Sequence, residues 1–499
     1  MRLNVFVSGR RVATLESGDG FEHQLTYLPD VNPQDFVSLT MPVQTASWTW
    51  PTLHPFFQVS LPEGFLLSVL KEQLGPHLGA SALGLLSVVG HNLIGRVQVS
   101  AGAQPSQVAA VDDLKPLLHG PSSQEVFLDL MVQYAASGVS GVVPKFLTPQ
   151  TQALFRKGTV STERHIVKAS SARQPFVALN EHLCMQAAAA TEIDVARTLV
   201  SEDGQVLVVE RFDIEPVTAR RRGFEDFCSL LGLTPDDKYD STWERVARLV
   251  RENVPNERLR EANEHLAVTL LLTYALGNAD CHTKNLAFVY DSLDTVRVAP
   301  VYDMLTILAY DAYANNPPGM YMDGRKNWEG HKALWRYLQQ HLGIEPAAQR
   351  RIVDRVCGAV AQTVPELLRH IRRTDGFAPV GLRMLWEWNA GMNRLRERRT
   401  FSLPNWVDEA QTQGLPRPEP APRFAANRAP PPAPSTRSTS STSLGAQKSR
   451  HRQRLQHHTA RTPSPSPKTS AWVDDSYRGR GPGRPGNKET RWPGDQVAR

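Results

Sequence analysis

A short polar stretch near the middle of the chain carries the residue types that phosphoryl transfer needs. Residues 277–285 read Gly-Asn-Ala-Asp-Cys-His-Thr-Lys-Asn, and Asp303 follows a second short apolar run. A carboxylate such as Asp280 can orient an acceptor hydroxyl and take its proton. Asn285 offers an uncharged oxygen and Asp303 an anionic one, and Mg²⁺ completes its octahedron with phosphate and water. These residues predict a phosphotransfer centre.

The spacing within this stretch matches the catalytic loop of kinases. Four residues lie between Asp280 and Asn285, an apolar helical stretch precedes the loop at 266–276, and a short strand follows at 286–290. Lys284 is placed either to meet the transferring phosphate or to remain solvated. His282 is placed either to contact a nucleotide or to order the loop.

A Gly/Ser-rich segment upstream is the predicted phosphate loop. Residues 137–141 read Ser-Gly-Val-Ser-Gly, and Lys145 lies in the apolar segment that follows. Glycines let main-chain N–H groups approach phosphate oxygens closely, and Lys145 offers a further phosphate contact. A hairpin with an exposed lysine would show the same pattern. Ser140 and Ser137 bear the hydroxyls of this loop, so both are candidates for autophosphorylation.

Further candidates lie between this loop and the phosphotransfer centre. Lys168 ends a Val/Ile-containing strand, the position of the lysine that binds the α- and β-phosphates in kinases. Glu181 lies on the following helix, where it could pair with Lys168. Residues 210–212, Glu-Arg-Phe, end the next strand. Their main chain could bond adenine while Phe212 packs on the ring, although core packing would equally explain Phe212.

The order of the predicted elements favours an α+β fold with two lobes. A hairpin (residues 3–7 and 12–15) and a strand (36–41) are predicted near the N-terminus. Strands at 165–168 and 206–212 flank a helix at 180–190, which is the order found in a kinase N-lobe. Residues 224–399 are predicted to be mostly helical around the phosphotransfer centre.

Composition limits the classes of protein that fit. With 499 residues, 41% of them hydrophobic, the chain has room for several domains. No apolar run reaches the roughly 18 residues of a membrane span, and the first residues resemble a strand rather than a signal peptide. The four cysteines lie far apart, which disfavours a zinc or disulfide framework. We therefore expect a cytoplasmic protein without membrane contact.

The basic charge is concentrated at the C-terminal end. Residues 415–499 contain 16 Lys and Arg against 5 Asp and Glu, so they carry +11, and the net charge of +6 leaves −5 for residues 1–414. This tail is rich in Pro and Ser without apolar periodicity, so we expect disorder. Residues 478–485 resemble minor-groove AT-hook segments. A basic extension attracted to any polyanion is the alternative.

The chain resembles the HipA-type serine/threonine kinases, the toxin half of bacterial toxin–antitoxin pairs. The resemblance extends over about residues 1 to 400. It is carried by Leu61-Pro62-Glu63-Gly64, residues 140–145, 165–168, Asn180-Glu181, 209–213, Glu225-Asp226, Lys238-Tyr239, 277–285 and 300–303.

The resemblance implies a two-lobed kinase-like fold with an added N-terminal subdomain. Its parts would be a mixed α/β N-terminal subdomain (1–105), a kinase N-lobe with the phosphate loop (112–220), a helical C-lobe with the catalytic and metal-binding residues (221–410) and the basic tail (415–499).

The resemblance also implies ATP and Mg²⁺ as cofactors. Asp280 would be the catalytic base, Asn285 and Asp303 the metal ligands, and Lys168 a ligand of the nucleotide phosphates. Further ATP contacts are implied for Ser140, Gly141, Val142, Val143, Pro144, Lys145, Glu210, Arg211, Phe212, His282, Thr283, Lys284, Asn285, Tyr302 and Asp303.

Substrates and partners follow from the same resemblance. Family members phosphorylate aminoacyl-tRNA synthetases where substrates are known, which stalls translation, and they autophosphorylate on a serine of the phosphate loop. A small helix-turn-helix antitoxin of the HipB type holds them and represses the operon. Contact with operator DNA is therefore expected through the antitoxin.

The chain departs from the family pattern at three places. Val143 stands where Gln is usual, Gly138 stands where some members carry the autophosphorylated serine, and residues 90–95 lack the usual Asp. The second departure makes Ser140 a better autophosphorylation candidate than Ser137.

Two other functions fit the polar residues. One is a small-molecule kinase, because aminoglycoside and choline kinases share the Asp-x₄-Asn spacing. The other is a nucleotide-binding co-repressor that acts in an antitoxin–DNA complex. The N-terminal subdomain and the serine-bearing loop disfavour the first, and the complete set of polar residues disfavours the second.

Overall fold

The computed structural model describes residues 1–18, 22–62, 67, 81–104, 114–120, 123–137, 158–328 and 331–396, with the main chain alone for 131–137, 158 and 331. The chain divides into two units, Met1–Ala426 and Asn427–Arg499, and every described residue lies in the first. The predicted phosphate loop beyond Ser137 and the predicted disordered tail lie outside the described residues.

The N-terminal subdomain is built on an antiparallel sheet. Its strands are β1 (Arg2–Val7), β2 (Arg10–Ser17), β3 (His23–Tyr27), β4 (Trp48–Trp50) and β5 (Val97–Ser100), in the order β4-β3-β2-β1-β5. The predicted hairpin is β1–β2, and Ser8 and Gly9 at its turn have φ values of 50° and 78°, as a type I′ turn requires. Two short helices, α1 (Pro55–Gln58) and α2 (Ala82–Val89), share the apolar core of this sheet.

The strand predicted at residues 36–41 does not form. The segment instead makes an isolated bridge between Ser38 and Met41. The buried hydroxyl of Tyr27 accepts a hydrogen bond from the N–H of Val37 at 2.8 Å and donates to the carbonyl of Met41 at 2.6 Å. The prediction was wrong because a side chain satisfies the main-chain groups that a neighbouring strand would otherwise pair.

A second, four-stranded antiparallel sheet follows. Its strands are β6 (Gly158–Ser161), β7 (His165–Ala169), β8 (Thr198–Val200) and β9 (Val206–Glu210), in the order β6-β7-β9-β8, with helices α3 (Lys115–His119), α4 (Ser123–Ser137) and α5 (Val177–Ala189). The predicted order of strand, helix and strand is confirmed as β7, α5 and β9. In β9, Val206 and Val208 face one apolar core while Leu207 and Val209 face another. Burial of both faces explains the continuous apolar run of this strand.

The remaining part is mostly helical, as predicted, so the fold is α+β. It contains β10 (Gly223–Asp226), β11 (Ala287–Tyr290) and β12 (Arg297–Val298), and the helices α6 (Phe227–Leu230), α7 (Trp243–Asn253), α8 (Asn256–Leu276), α9 (His331–Gln340), α10 (Pro346–Arg373) and α11 (Ala378–Leu395). Every residue of α8 from Leu266 to Leu276 is buried, which explains its apolar sequence. No helix within the described ranges is long and apolar enough to cross a bilayer.

The N-terminal subdomain docks on the helical part through a buried carboxylate. Glu225 of β10 accepts hydrogen bonds from the hydroxyl of Ser38 at 2.5 Å and from the N–H of Leu39 at 2.9 Å. Burial raises the pKa of Glu225 to about 7. The docking contact therefore contains an acid that is easier to bury when it is protonated.

A buried arginine forms a second docking contact. The guanidinium of Arg211 donates to Asn92 Oδ1 at 2.8 Å, to the carbonyl of Leu93 at 3.0 Å and to Asp213 Oδ2 at 2.6 Å. Asp213 also accepts a hydrogen bond from the N–H of Gly95 at 2.7 Å. Because a buried charge is costly unless it is paired, these bonds fix the position of residues 92–95 on the second sheet.

We expect Glu225 to make stability fall as pH rises from about 4.5 to about 7. Its pKa is higher in the folded chain than its ordinary value of 4.5, so the folded state binds more protons in this window. Glu225→Gln should lose this contribution and be more stable than wild type above pH 7. The slope of the free energy of unfolding against pH should differ between this variant and wild type by up to about 1.4 kcal/mol per pH unit within the window.

The control is Glu16→Gln, since Glu16 is a partly exposed acid of the same subdomain. It should keep the slope of wild type. A slope in Glu225→Gln equal to that of wild type would contradict the prediction.

Candidate phosphotransfer site

The polar stretch at residues 277–285 begins where α8 ends. Gly277 has a φ of 66° and ends the helix in a left-handed conformation. Asn278 turns its side chain back, and its Oδ1 accepts a hydrogen bond from the N–H of Asp280 at 3.1 Å. A 3₁₀ turn, Thr283–Asn285, then leads into β11. This path brings Asp280 and Asn285 to the wall of one cleft.

Asp303 is held by contacts from two sides. Its Oδ1 accepts a hydrogen bond from Lys168 Nζ at 2.6 Å, and its Oδ2 accepts one from Asn285 Nδ2 at 2.7 Å. Its φ is 56°, a conformation that costs a residue other than glycine about 1 kcal/mol or more. The two hydrogen bonds hold the carboxylate in the cleft despite this strain.

Lys168 connects three elements of the site. Its Nζ lies 2.5 Å from Glu181 Oε1 and 2.6 Å from Asp303 Oδ1. Helix α5, which carries Glu181, is itself anchored near Asp303. The side chain of Asn180 donates to the carbonyl of Thr306 at 3.0 Å and accepts from its N–H at 2.8 Å. The structure thus brings Lys168, Glu181 and Asp303 together.

These groups face a cleft with a volume of about 540 Å³. The sequence-predicted site residues that line it are Lys168, Asp280, His282, Lys284, Asn285 and Asp303. The N-terminal subdomain forms one wall through Phe56 and residues 59–62. The carbonyl of Val59 accepts a hydrogen bond from Lys284 Nζ at 3.2 Å. Sequence analysis missed this wall, although Leu61 and Pro62 belong to a segment that carries the family resemblance.

Two further predicted ATP contacts, Thr283 and Tyr302, make structural hydrogen bonds, and His282 in the cleft wall is uncharged. The buried hydroxyl of Thr283 donates to the carbonyl of Lys238 at 2.8 Å, and the hydroxyl of Tyr302 donates to the carbonyl of Lys284 at 2.7 Å. Burial lowers the pKa of His282 to about 4. His282 is therefore neutral near pH 7 and offers no positive charge to a phosphate group.

Residues 210–212 lie at the end of β9. Glu210 is exposed, while the guanidinium of Arg211 is used in the buried docking contact described above. A nucleotide contact from Arg211 would therefore come from its main chain. The ring of Phe212 packs near Phe224 and Tyr302, with centroids 6.0 and 5.7 Å away. Because Phe224 lines the cleft, this aromatic cluster adjoins the space available to a ligand.

The predicted phosphate loop contributes no described side chain. Ser137 is the last residue of α4, and its main chain alone is described. The predicted ATP contacts of this loop all lie outside the described ranges: Ser140, Gly141, Val142, Val143, Pro144 and Lys145. Their contacts with ATP and the choice of autophosphorylated serine stay predictions.

Asn285 and Asp303 offer oxygen atoms suited to Mg²⁺. The Oδ1 of Asn285 is buried and has no hydrogen-bond partner among the described residues. Rotation of the amide about its last torsion exchanges Oδ1 and Nδ2, so a cation beside Asp303 could receive an oxygen from each residue. This set fits Mg²⁺, which binds few carboxylates and fills its shell with phosphate and water. The described part of the chain holds no cluster of three or more His, Cys, Asp or Glu side chains suited to a metal.

Comparison with known proteins identifies the family. The model of the HipA N-terminal domain matches residues 3–100, and that of the HipA-like C-terminal domain matches residues 137–364. A protein of Sinorhizobium fredii named "Putative kinase Y4mE" is 30% identical over 402 residues, which cover 73% of this chain and 92% of that protein. The chain belongs to the HipA family.

The chain is similar to a second putative kinase in sequence and to a solved HipA in fold. The protein named "Putative kinase Y4dM", also of S. fredii, is 28% identical over 275 residues, covering 51% of this chain and 63% of that protein. A HipA of Shewanella oneidensis MR-1, solved with HipB and its operator DNA, matches with a TM-score of 0.59 and 18% identity. That match covers 80% of this chain and 100% of the Shewanella chain, and it shows that the fold is that of HipA.

We expect Gly319→Ala to disturb the loop of residues 277–285. A Cβ atom at Gly319 would overlap the carbonyl oxygen of Cys281 and lie 3.1 Å from that of Ala279. Because these are backbone atoms, the loop must shift, at a cost of about 1–3 kcal/mol. Hydrogen exchange measured by mass spectrometry should become faster over residues 277–285.

The matched control is Gly358→Ala in α10. A Cβ atom at Gly358 meets no other atom within 4 Å, so this variant should exchange like wild type over residues 277–285. Equal exchange in Gly319→Ala and wild type would show that the close approach does not constrain the loop.

Proposed function

We propose that this HipA-family chain is a serine/threonine protein kinase that transfers the γ-phosphate of ATP to a protein serine, with Mg²⁺ as cofactor. The convergence of Asp280, Asn285 and Asp303 with Lys168 in one cleft is the observation that supports this most directly. Phosphoryl transfer needs positioning and charge neutralisation more than covalent help from the protein. The cleft offers cationic, anionic and amide groups for both tasks.

Each group has a defined task in this proposal. Lys168 would bind the α- and β-phosphates of ATP, and Asn285 and Asp303 would hold Mg²⁺, which would supply charge neutralisation for the transferring phosphate. Asp280 orients the acceptor hydroxyl. The hydroxyl oxygen bonds to the γ-phosphorus, the bond from that phosphorus to the β–γ bridging oxygen breaks, and the hydroxyl proton passes to Asp280.

We further propose that the kinase is the toxin of a toxin–antitoxin pair. Its substrate would be an aminoacyl-tRNA synthetase, and the phosphorylation would inhibit translation and arrest growth. A helix-turn-helix antitoxin similar to HipB would hold the kinase and connect it to operator DNA. Support comes from the family and from the fold shared with a HipA that was solved with HipB and operator DNA.

We expect Asp280→Asn to slow phosphate transfer from labelled ATP by about 10²–10⁴-fold, the usual contribution of a positioned proton acceptor. The control is Asp294→Asn, because Asp294 is exposed in the turn before β12. It should transfer phosphate like wild type. If wild type with Mg²⁺ were as inert as Asp280→Asn towards both protein and small alcohol acceptors, the assignment as an active kinase would be wrong. Transfer to alcohols alone would indicate a small-molecule kinase.

Autophosphorylation is expected on the phosphate loop. Ser140→Ala should abolish the phosphopeptide that mass spectrometry detects after incubation with ATP, while Ser137→Ala should retain it. If the phosphate were found on Ser137 or outside residues 137–145, the assignment of Ser140 would be wrong.

A further inference from the structure

Tyr239 makes a contact with the proposed catalytic base that the sequence did not indicate. It lies between a 3₁₀ turn (Pro235–Asp237) and α7, 41 residues before Asp280. Its hydroxyl donates a hydrogen bond to Asp280 Oδ1. We infer that Tyr239 is a positioning residue that holds the carboxylate of Asp280 in the orientation needed for proton acceptance. This inference rests on the proposed kinase function.

Several contacts fix Tyr239 itself. Its carbonyl accepts a hydrogen bond from Lys326 Nζ at 3.1 Å. Its ring meets the ring of His282 edge-on, with centroids 4.9 Å apart. The preceding carbonyl, that of Lys238, accepts hydrogen bonds from both the N–H and the hydroxyl of Thr283, at 3.2 and 2.8 Å. Tyr239 thus meets the loop at His282, and its neighbour Lys238 is bonded to Thr283, which together lower the entropy cost of the bond from Tyr239 to Asp280.

The contact leaves half of the Asp280 carboxylate available. Within the described ranges, Oδ1 accepts the bond from Tyr239 and Oδ2 accepts none. A carboxylate bound through one oxygen cannot rotate freely about its last torsion, so the other oxygen keeps its direction. The acceptor hydroxyl would then meet a pre-oriented oxygen, and pre-orientation of this kind raises the rate rather than the affinity for ATP.

The phenol is suited to act as a donor. Burial, together with the negative charge of Asp280, raises the pKa of Tyr239 far above its ordinary value. The hydroxyl therefore keeps its proton at neutral pH and donates a hydrogen bond to the carboxylate. His282 on the other side of the ring is neutral, so it does not compete for Asp280 as a charged partner.

The kinetic test compares Tyr239→Phe with wild type in transfer from labelled ATP. This variant keeps the ring and its contact with His282 but loses the hydroxyl. We expect kcat to fall on the order of tenfold, the effect of losing one hydrogen bond to a charged group, while KM for ATP changes less than about twofold. In the Asp280→Asn background the same substitution should have no further effect, because the two residues act together.

Tyr321→Phe is the matched control. Tyr321 also contacts Lys326, whose Nζ lies 4.5 Å from the centroid of its ring, and its hydroxyl makes no hydrogen bond to a described residue. This variant should have the kcat of wild type. A purely structural role of Tyr239 would instead raise KM for ATP or lower the unfolding midpoint, and it would add to the effect of Asp280→Asn. Either result, or an unchanged kcat in Tyr239→Phe, would overturn the inference while leaving the proposed function in place.

A second measurement does not depend on turnover. In protein labelled with ¹³C at the ζ carbon of tyrosine, the NMR signal that disappears in Tyr239→Phe belongs to Tyr239. Asp280→Asn should shift this signal, whereas Asp294→Asn should not. A signal that stays in place in Asp280→Asn would show that the hydrogen bond is absent and would overturn the inference, even if wild type transferred no phosphate.

Discussion

The site depends on one ammonium group that two carboxylates share. Lys168 lies on β7, Glu181 on α5 and Asp303 beyond β12. The two ion pairs of Lys168 therefore join both sides of the cleft. The lysine side chain is 13% exposed, so water screens these pairs little, and removal of one buried partner costs about 3–5 kcal/mol. A nucleotide phosphate could take over part of the charge that Asp303 now supplies to Lys168. The same lysine would then stabilise the cleft and bind the ligand, and Asp303 would gain freedom to face a cation.

The N-terminal subdomain is part of this site rather than an attachment to it. It contributes the wall at residues 59–62, and the carbonyl of Val59 accepts a hydrogen bond from Lys284, which is adjacent to Asn285, a proposed metal ligand. Its docking contacts at Glu225 and Arg211 use buried polar groups, which are costly unless each finds its partner. Such contacts define one alignment more sharply than apolar packing does. A change in how the subdomain docks would therefore move residues 59–62 and alter the shape of the cleft. The subdomain and the loop of residues 277–285 should be considered one functional unit.

Local patterns allowed much of the fold to be predicted. The hairpin, β7, α5 and β9 follow from hydrophobic periodicity and turn chemistry within a few residues. Asp280 and Asn285 were recognisable because their spacing lies within one loop. The contacts of Tyr239 and Val59 with this loop were not recognisable, because these residues lie 41 and 225 positions before their partners in the sequence. Their positions depend on packing between elements. The strand predicted at 36–41 failed for the same reason, since the distant hydroxyl of Tyr27 satisfies that segment.

The candidate site tolerates two unfavourable features because the surrounding contacts hold its residues in place. Asp303 has a positive φ, and Asn285 Oδ1 is buried without a partner among the described residues, and each feature costs about 1–3 kcal/mol. The fully buried end of α8, the close approach of Gly319 and the ion pairs of Lys168 limit how far these residues can relax. Both costs fall on the two residues proposed to bind Mg²⁺, and a cation would satisfy the oxygen of Asn285. Because Asn285 Nδ2 rather than Oδ1 faces Asp303, the amide must rotate before both residues can offer an oxygen to one cation, so the folded chain carries the cost of the unpaired oxygen until a ligand binds.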